Sequence, residues 1–235
     1  MRLLNYHPDN STVSKEVDKK IFRYSLILPC VMVGLLWLIK LAEVTFDFQL
    51  TFLGVYPLHW KGVGGILTSP LIHSNFDHLI ANSVPLFILS FSVIYFYRNL
   101  SYRIIGLTYI ISGLMVWLGA RPAWHIGASG VVYGLAAFLF FSGVLRNQIR
   151  LLTIAFIVVF LYGSMFWGIF PLKPDISWEG HLWGGVAGLI LALFYRNSGP
   201  VRKKFQWEME EEDEDDNEED AYWMVDPKDE NQPPQ

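Results

Sequence analysis

Cysteine is almost missing from this sequence. The single Cys30 excludes an intramolecular disulfide, and its position within an apolar run makes packing its expected role. Charge is scarce as well. Asp, Glu, Lys and Arg make up 17% of the 235 residues, against 52% hydrophobic and 16% aromatic residues, which excludes an ordinary soluble domain. No small-residue cleavage site follows the first apolar run, so that run reads as a retained span and not as a signal peptide.

What is present is a series of uncharged runs, at 24–39, 78–97, 104–120, 122–145, 151–172 and 180–195. Each approaches the roughly 20 residues that carry a helix across about 30 Å of hydrocarbon. Six such runs leave almost no polar surface for a water-soluble helical domain, so the sequence predicts an all-α membrane protein with six transmembrane helices. The 18 Lys and Arg divide 14 to 4 between the two sides that these spans define, with only Lys40, Lys61, Arg121 and Lys173 on the poorer side. By the positive-inside rule both termini are expected in the cytoplasm, and an even number of spans requires that they share a side. The predicted layout is a cytoplasmic segment at 1–20, a membrane domain at 21–197 and a tail at 198–235. From Glu208 onward fourteen acids accompany one Lys. A segment of that composition cannot bury a core and is expected to be solvated and disordered.

Polar side chains inside a span are costly, so they mark function. Four stand out: His78 and Asn82 in the second run, Ser129 at the head of the fourth helix and His181 at the head of the sixth. Arg98, Arg146 and Arg196 close these runs on the cytoplasmic side, and Asn82, Ser129 and His181 precede them by sixteen, seventeen and fifteen residues. At the helical rise per residue these separations are about 24, 25 and 22 Å. The three residues therefore share one level, just below the outer boundary of the hydrocarbon, where a water-filled recess open to the outside can reach.

A lone Ser in a membrane helix mostly bonds its own carbonyls or helps helices pack. Here Gly127-Ala128-Ser129-Gly130 follows a loop containing Pro122 and opens a helix. Small neighbours let another backbone approach the hydroxyl, and a helix N-terminus leaves the Ser129 N–H free for an oxyanion. Tyr133, one turn deeper on the same face, can support an imidazole lying against Ser129. The segment Gly180-His181-Leu182-Trp183-Gly184 supplies that imidazole. Gly184 and Gly188 follow His181 by three and seven residues, and with Gly130 and Gly134 they offer two matching small-residue seams. Packing through these seams brings His181 to Ser129 as general base to nucleophile. Glu179 is two residues from His181, points elsewhere and lies nearer the water, so a dyad is expected and not a triad. His78 and Asn82 are four residues apart and share a helix face. They can bond between helices or, with the Ser129 N–H, donate to the oxyanion of a tetrahedral intermediate. No Cys or acid on those faces completes a ligand set, so neither a metal nor another cofactor is expected.

Taken together, Gly127-Ala128-Ser129-Gly130, Gly180-His181-Leu182-Trp183-Gly184 with Gly188, and His78 with Asn82 resemble the three signatures of rhomboid proteases, in the same order along the chain. The stretch from Gly54 to Asn75 is similar to the first loop and the approach to the second span in that family, and the resemblance extends from about residue 50 to 196. It implies the six-transmembrane-helix rhomboid bundle, a Ser129–His181 dyad, an oxyanion site formed by His78, Asn82 and Ser129, Tyr133 packed on the His181 ring, and a structural role for His73. It implies cleavage of peptide bonds in or near transmembrane segments of single-span proteins, at helices that unwind easily near small or helix-breaking residues. The expected partners are such substrates and the lipid bilayer, not nucleic acid, and the expected location is a bacterial inner membrane. Two features depart from the family pattern: a Trp-Arg dipeptide is missing from the first loop, and Gly180 stands where Ala is frequent. No site role falls to His59, Trp60 or His125, and His125 is expected to pack in its loop. Two other classes compete. One is a catalytically inactive relative that binds and escorts membrane proteins, disfavoured by the presence of both Ser129 and His181. The other is a transporter or channel, whose polar residues would line a path and not a single level.

Overall fold

The computed structural model describes residues 9–161, 167–172 and 176–199, so the acidic tail lies outside the described residues. Seven α-helices carry the described chain: α1 Asp9–Thr45, α2 Gly65–Thr68, α3 Phe76–Tyr97, α4 Ser101–Gly119, α5 Ser129–Leu145, α6 Ile149–Leu161 and α7 Trp178–Phe194. There is no strand among the described residues. Among the described residues three stretches, Glu16–Thr45, Phe76–Tyr97 and Ser101–Gly119, are long and apolar enough to cross a membrane. Helices α5 and α7 have 17 residues each, about 25 Å of helix, and fall short of a full crossing by length alone. The fourth uncharged run is shorter as a helix than as a run because its first residues form a loop in which Gly127 takes φ +107°.

Helix α1 outlasts its uncharged run. Lys40 does not end the helix, because its Nζ lies 3.3 Å from Glu43 Oε2 one turn on and donates to the carbonyl oxygens of His73 at 3.0 Å and Ser74 at 3.1 Å. Elsewhere α1 packs mainly on α3, through the Trp37 indole N–H to Ser83 Oγ at 3.1 Å and a Phe22–Phe91 edge contact at 5.3 Å. Tyr24, Ile27, Val31, Leu38 and Leu41 point outward and are exposed. Cys30 shares that outward exposure, which corrects its expected packing role: a helix with one main partner buries only one of its faces. An apolar exterior of this kind needs hydrocarbon around it.

Helix α5 is the centre of the bundle, packed on α3, α4, α6 and α7. Its Val131, Val132, Leu135, Phe138 and Leu139 are each no more than 2% exposed, as expected of a helix that is apolar all round. Among the described elements the most extensive packing joins α5 to α7. A Cβ on Gly184 would overlap the carbonyl oxygen of Gly130, and one on Gly188 would overlap that of Gly134. The two backbones therefore meet directly along the expected seams.

Between α1 and α3 the chain forms short helical turns at Thr51–Leu53, Trp60–Gly62 and Ser69–Leu71 together with α2. This first loop is tied to the segment before α5. Val55 and His125 exchange both backbone hydrogen bonds, at 2.9 and 2.8 Å, and Gly127 N–H donates to the Ser69 carbonyl at 2.9 Å.

Candidate active site

Ser129 is the first residue of α5 and is 9% exposed. The amide before it is already used, since Ala128 N–H donates to His73 Nε2 at 3.4 Å. The Ser129 N–H has no acceptor among the described residues, as the first turn of a helix allows. His73 is buried at the end of the first loop, and its ring meets that of His78 edge-on at 5.0 Å. Burial, followed by the nearby His78, holds the His73 pKa down at about 3. It is thus a neutral ring able to accept from Ala128, and it braces the amide that precedes Ser129.

His181 lies in the first turn of α7 and is 9% exposed. Its ring stacks on Tyr133 with centroids 4.2 Å apart and planes 6° from parallel. Its Nδ1 is 2.8 Å from the Gly168 carbonyl oxygen. A carbonyl only accepts, so Nδ1 carries the proton and Nε2 is left with its lone pair, the form that a general base requires. No hydrogen bond joins Ser129 and His181 among the described residues. The two residues are nonetheless near neighbours through the seam: a Cβ on Gly130 would stand 3.3 Å from the carbonyl oxygen of Gly180.

His78 and Asn82 approach the same point from α3. A Cβ on Gly127 would stand 2.7 Å from His78 Nε2 and 3.8 Å from Asn82 Nδ2, so both side chains border the turn that leads into Ser129. The His78 backbone N–H is capped by Asn75 Oδ1 at 2.8 Å, and its ring Nδ1 lies 3.3 Å from Ser74 Oγ. Asn82 Nδ2 donates to the His78 carbonyl at 2.9 Å, which occupies one of its two amide hydrogens and leaves the other. A cavity of ≈ 30 Å³ opens beside Ser129, between Ser69, Ser112, Val116 and Gly180. It has room for about two water molecules. Among the described residues no group of three His, Cys, Asp or Glu converges on a point that could hold a metal ion.

Three features of the site were not foreseen from the residues. The partner that orients His181 is a backbone carbonyl, Gly168, which has no sequence signature. His125, whose ring is lowered in pKa chiefly by burial, is bonded through Nδ1 to Ser177 Oγ at 2.6 Å and not merely packed. Glu179, expected nearer the water, is 3% exposed, with Oε1 at 3.5 Å from Arg121 Nε. The Arg121 guanidinium, supplied by the α4–α5 loop, is the charged group beside that buried carboxyl.

Residues 60–198 match the family model of the Rhomboid domain. An uncharacterized protein of Mycobacterium tuberculosis is 34% identical over 180 residues, covering 73% of this chain and 74% of its own length. An uncharacterized protein of Mycobacterium leprae is 31% identical over 179 residues, covering 72% and 70%. A protein of Acanthamoeba polyphaga mimivirus, named as a rhomboid protein, is 28% identical over 128 residues, covering 52% of this chain and 70% of its own.

Proposed function

The chain belongs to the rhomboid family, and from that premise we propose that it is an intramembrane serine endopeptidase with Ser129 as nucleophile and His181 as its base. It is an integral membrane protein. The reading extends to six spans with both termini cytoplasmic, in a bacterial inner membrane. The membrane domain is 21–197, flanked by the 1–20 segment and the acidic 198–235 tail.

In this mechanism Ser129 Oγ attacks the scissile carbonyl while His181 Nε2 takes the hydroxyl proton. The tetrahedral oxyanion accepts from the Ser129 N–H, the free amide hydrogen of Asn82 and the His78 ring. His181 returns the proton to the leaving amine, the C–N bond breaks, and an acyl-Ser129 remains. Water then attacks the acyl carbon with His181 again as base, releasing the new carboxylate and restoring the hydroxyl. Tyr133, beneath the imidazole, keeps its plane fixed through the cycle. The substrate class is single-span membrane proteins, cleaved in or near the span.

The observation that carries the reading is the restraint on His181, whose ring is stacked 4.2 Å from Tyr133 and bonded through Nδ1 to Gly168, leaving Nε2 to accept a proton. A packing histidine has no need of both restraints. The absence of a Ser129–His181 hydrogen bond favours the second reading, an inactive membrane-protein escort, although such bonds often tighten only once substrate binds. Labelling by a fluorophosphonate and cleavage of a reconstituted single-span peptide separate the two. The protease labels and cleaves, and Ser129→Ala and His181→Ala each cut cleavage by about 10⁴-fold or more while the protein stays folded. A wild-type protein that neither labels nor cleaves would be the escort.

A further inference from the structure

Ser129 and His181 belong to different helices, and the glycine seams between α5 and α7 do not by themselves fix their relative height. Bare backbone lets two helices approach closely, but it offers few interlocking side chains to resist sliding or rotation. Something outside the seam has to set that register.

The segment 121–125 leads into Ser129, and the segment 176–179 leads into His181. Three polar contacts join them. Arg121 Nη2 donates to the Ile176 carbonyl at 3.1 Å, Arg121 Nε stands 3.5 Å from Glu179 Oε1, and His125 Nδ1 is 2.6 Å from Ser177 Oγ. His125 Nε2 lies 3.0 Å from the Arg121 carbonyl, so Nε2 donates, Nδ1 accepts and the Ser177 hydroxyl is the donor. His125 is fixed in turn by its paired backbone bonds to Val55. On the other side, His181 N–H bonds back to the Ser177 carbonyl at 3.4 Å, so Ser177 opens the very turn that carries His181. His125 is 5% exposed and Glu179 3%, so their side chains are sheltered, while Arg121 reaches them from a more exposed position. A buried carboxylate held by one guanidinium is a poor source of stability, and such groups can serve to fix a register instead.

We infer that Arg121, His125, Ser177 and Glu179 form a clamp of positioning residues that holds the α4–α5 loop to the start of α7 and so sets the approach of His181 to Ser129. The inference rests on the protease reading. None of the four touches the reacting atoms; each acts through the two segments it joins.

The test uses the full-length protein in liposomes with a single-span peptide carrying small residues at mid-helix, reading kcat, KM, fluorophosphonate labelling rate and thermal midpoint in detergent. Ser177→Ala is expected to lower kcat and labelling by about ten- to a hundredfold, the scale of a misplaced catalytic group, with KM held within about twofold. Ser177→Thr, which keeps the hydroxyl, restores both rates. Glu179→Gln shifts kcat in the same direction by less, since the amide keeps the shape and loses the charge. Wild-type kcat in Ser177→Ala, with Ser129-dependent cleavage intact, overturns the clamp and leaves the protease reading standing. So does a loss that Ser177→Thr fails to recover, or one that tracks the thermal midpoint. Undiminished cleavage by Ser129→Ala overturns the protease reading and the clamp with it.

Discussion

Where α5 meets α7 the chain removes side chains, and where α1 meets α3 it adds large ones. The first contact is made by Gly130, Gly134, Gly184 and Gly188, backbone against backbone. The second is made by Trp37 on Ser83 and Phe76 and by Phe22 on Phe91. Backbone atoms cannot change rotamer, so a glycine seam fixes how closely its two helices approach, whereas aromatic side chains reorient to accept a small shift. The rigid contact supports Ser129 and His181, and the adaptable one supports a helix whose other faces are exposed. Precision is thus concentrated where the proposed nucleophile and base stand on different helices.

Helix α3 touches both regions, and its neighbouring residues Asn82 and Ser83 test the contrast most sharply. Asn82 borders Gly127 on the Ser129 side, while Ser83 accepts from Trp37 on the α1 side. Asn82→Ala is expected to lower turnover by about 10²- to 10³-fold, or roughly 3 to 4 kcal/mol, with fluorophosphonate labelling slowed but present. The same steady-state assay on Ser83→Ala should give wild-type turnover. If Asn82→Ala turned over normally with its fold intact, Asn82 and His78 would both revert to interhelical bonding, leaving the Ser129 N–H as the remaining donor.

A second comparison lies within α7, where Gly184 and Gly185 are adjacent in sequence and opposite in surroundings. A Cβ on Gly184 would overlap the Gly130 carbonyl oxygen, whereas a Cβ on Gly185 meets nothing within 4 Å. Gly184→Ala therefore forces the helices apart, with an expected destabilisation of about 1 to 3 kcal/mol. The displaced His181 lowers turnover by about 10²-fold. Gly185→Ala should change neither by a measurable amount. Thermal midpoints in detergent and turnover in liposomes read both effects, and equal behaviour of the two variants would mean that the seam is not the rigid element.

Much of this arrangement is legible in the sequence because membrane helices obey strict rules. Uncharged runs locate the helices, and i, i+4 spacing sets Tyr133 beneath Ser129 and Gly188 beneath Gly184. The rest was hidden for identifiable reasons. The Gly168 carbonyl is backbone, and every residue has one. The His125–Ser177 bond joins positions 52 residues apart, whose separate side chains look like ordinary loop and cap residues. Glu179 reads as a water-facing acid until the loop that brings Arg121 to it is known. The extension of α1 past Lys40 was hidden because the partners of that charge, the His73 and Ser74 carbonyls, come from a loop more than thirty residues later. Periodicity reports what a helix does along its own axis, and these features all depend on what a separate loop delivers.

The smallest expected effect lies on the α1 side, where Trp37→Phe removes one interhelical hydrogen bond and keeps most of the aromatic surface. The lost bond runs from the indole N–H to Ser83 Oγ at 3.1 Å. Ser83 is not left unsatisfied, because its hydroxyl still donates to the Leu79 carbonyl at 2.7 Å. The penalty for stranding a buried polar group therefore does not arise, and what remains is the net value of one hydrogen bond between membrane helices, about 0.6 kcal/mol. The smaller phenyl ring of the variant still reaches Phe76, which the wild-type indole meets at 6.1 Å. Turnover should be unchanged, because the link from α1 towards the Ser129 end of α5, Lys40 to the His73 carbonyl, is left intact and any small tilt is absorbed by the side-chain contacts of α1 with α3. A thermal midpoint lowered only slightly, with wild-type kcat and KM, is the expected result. A fall in kcat comparable to that of Gly184→Ala would show that α1 is coupled to the dyad as tightly as α7 is, and the contrast between the adaptable and the rigid interface would be lost.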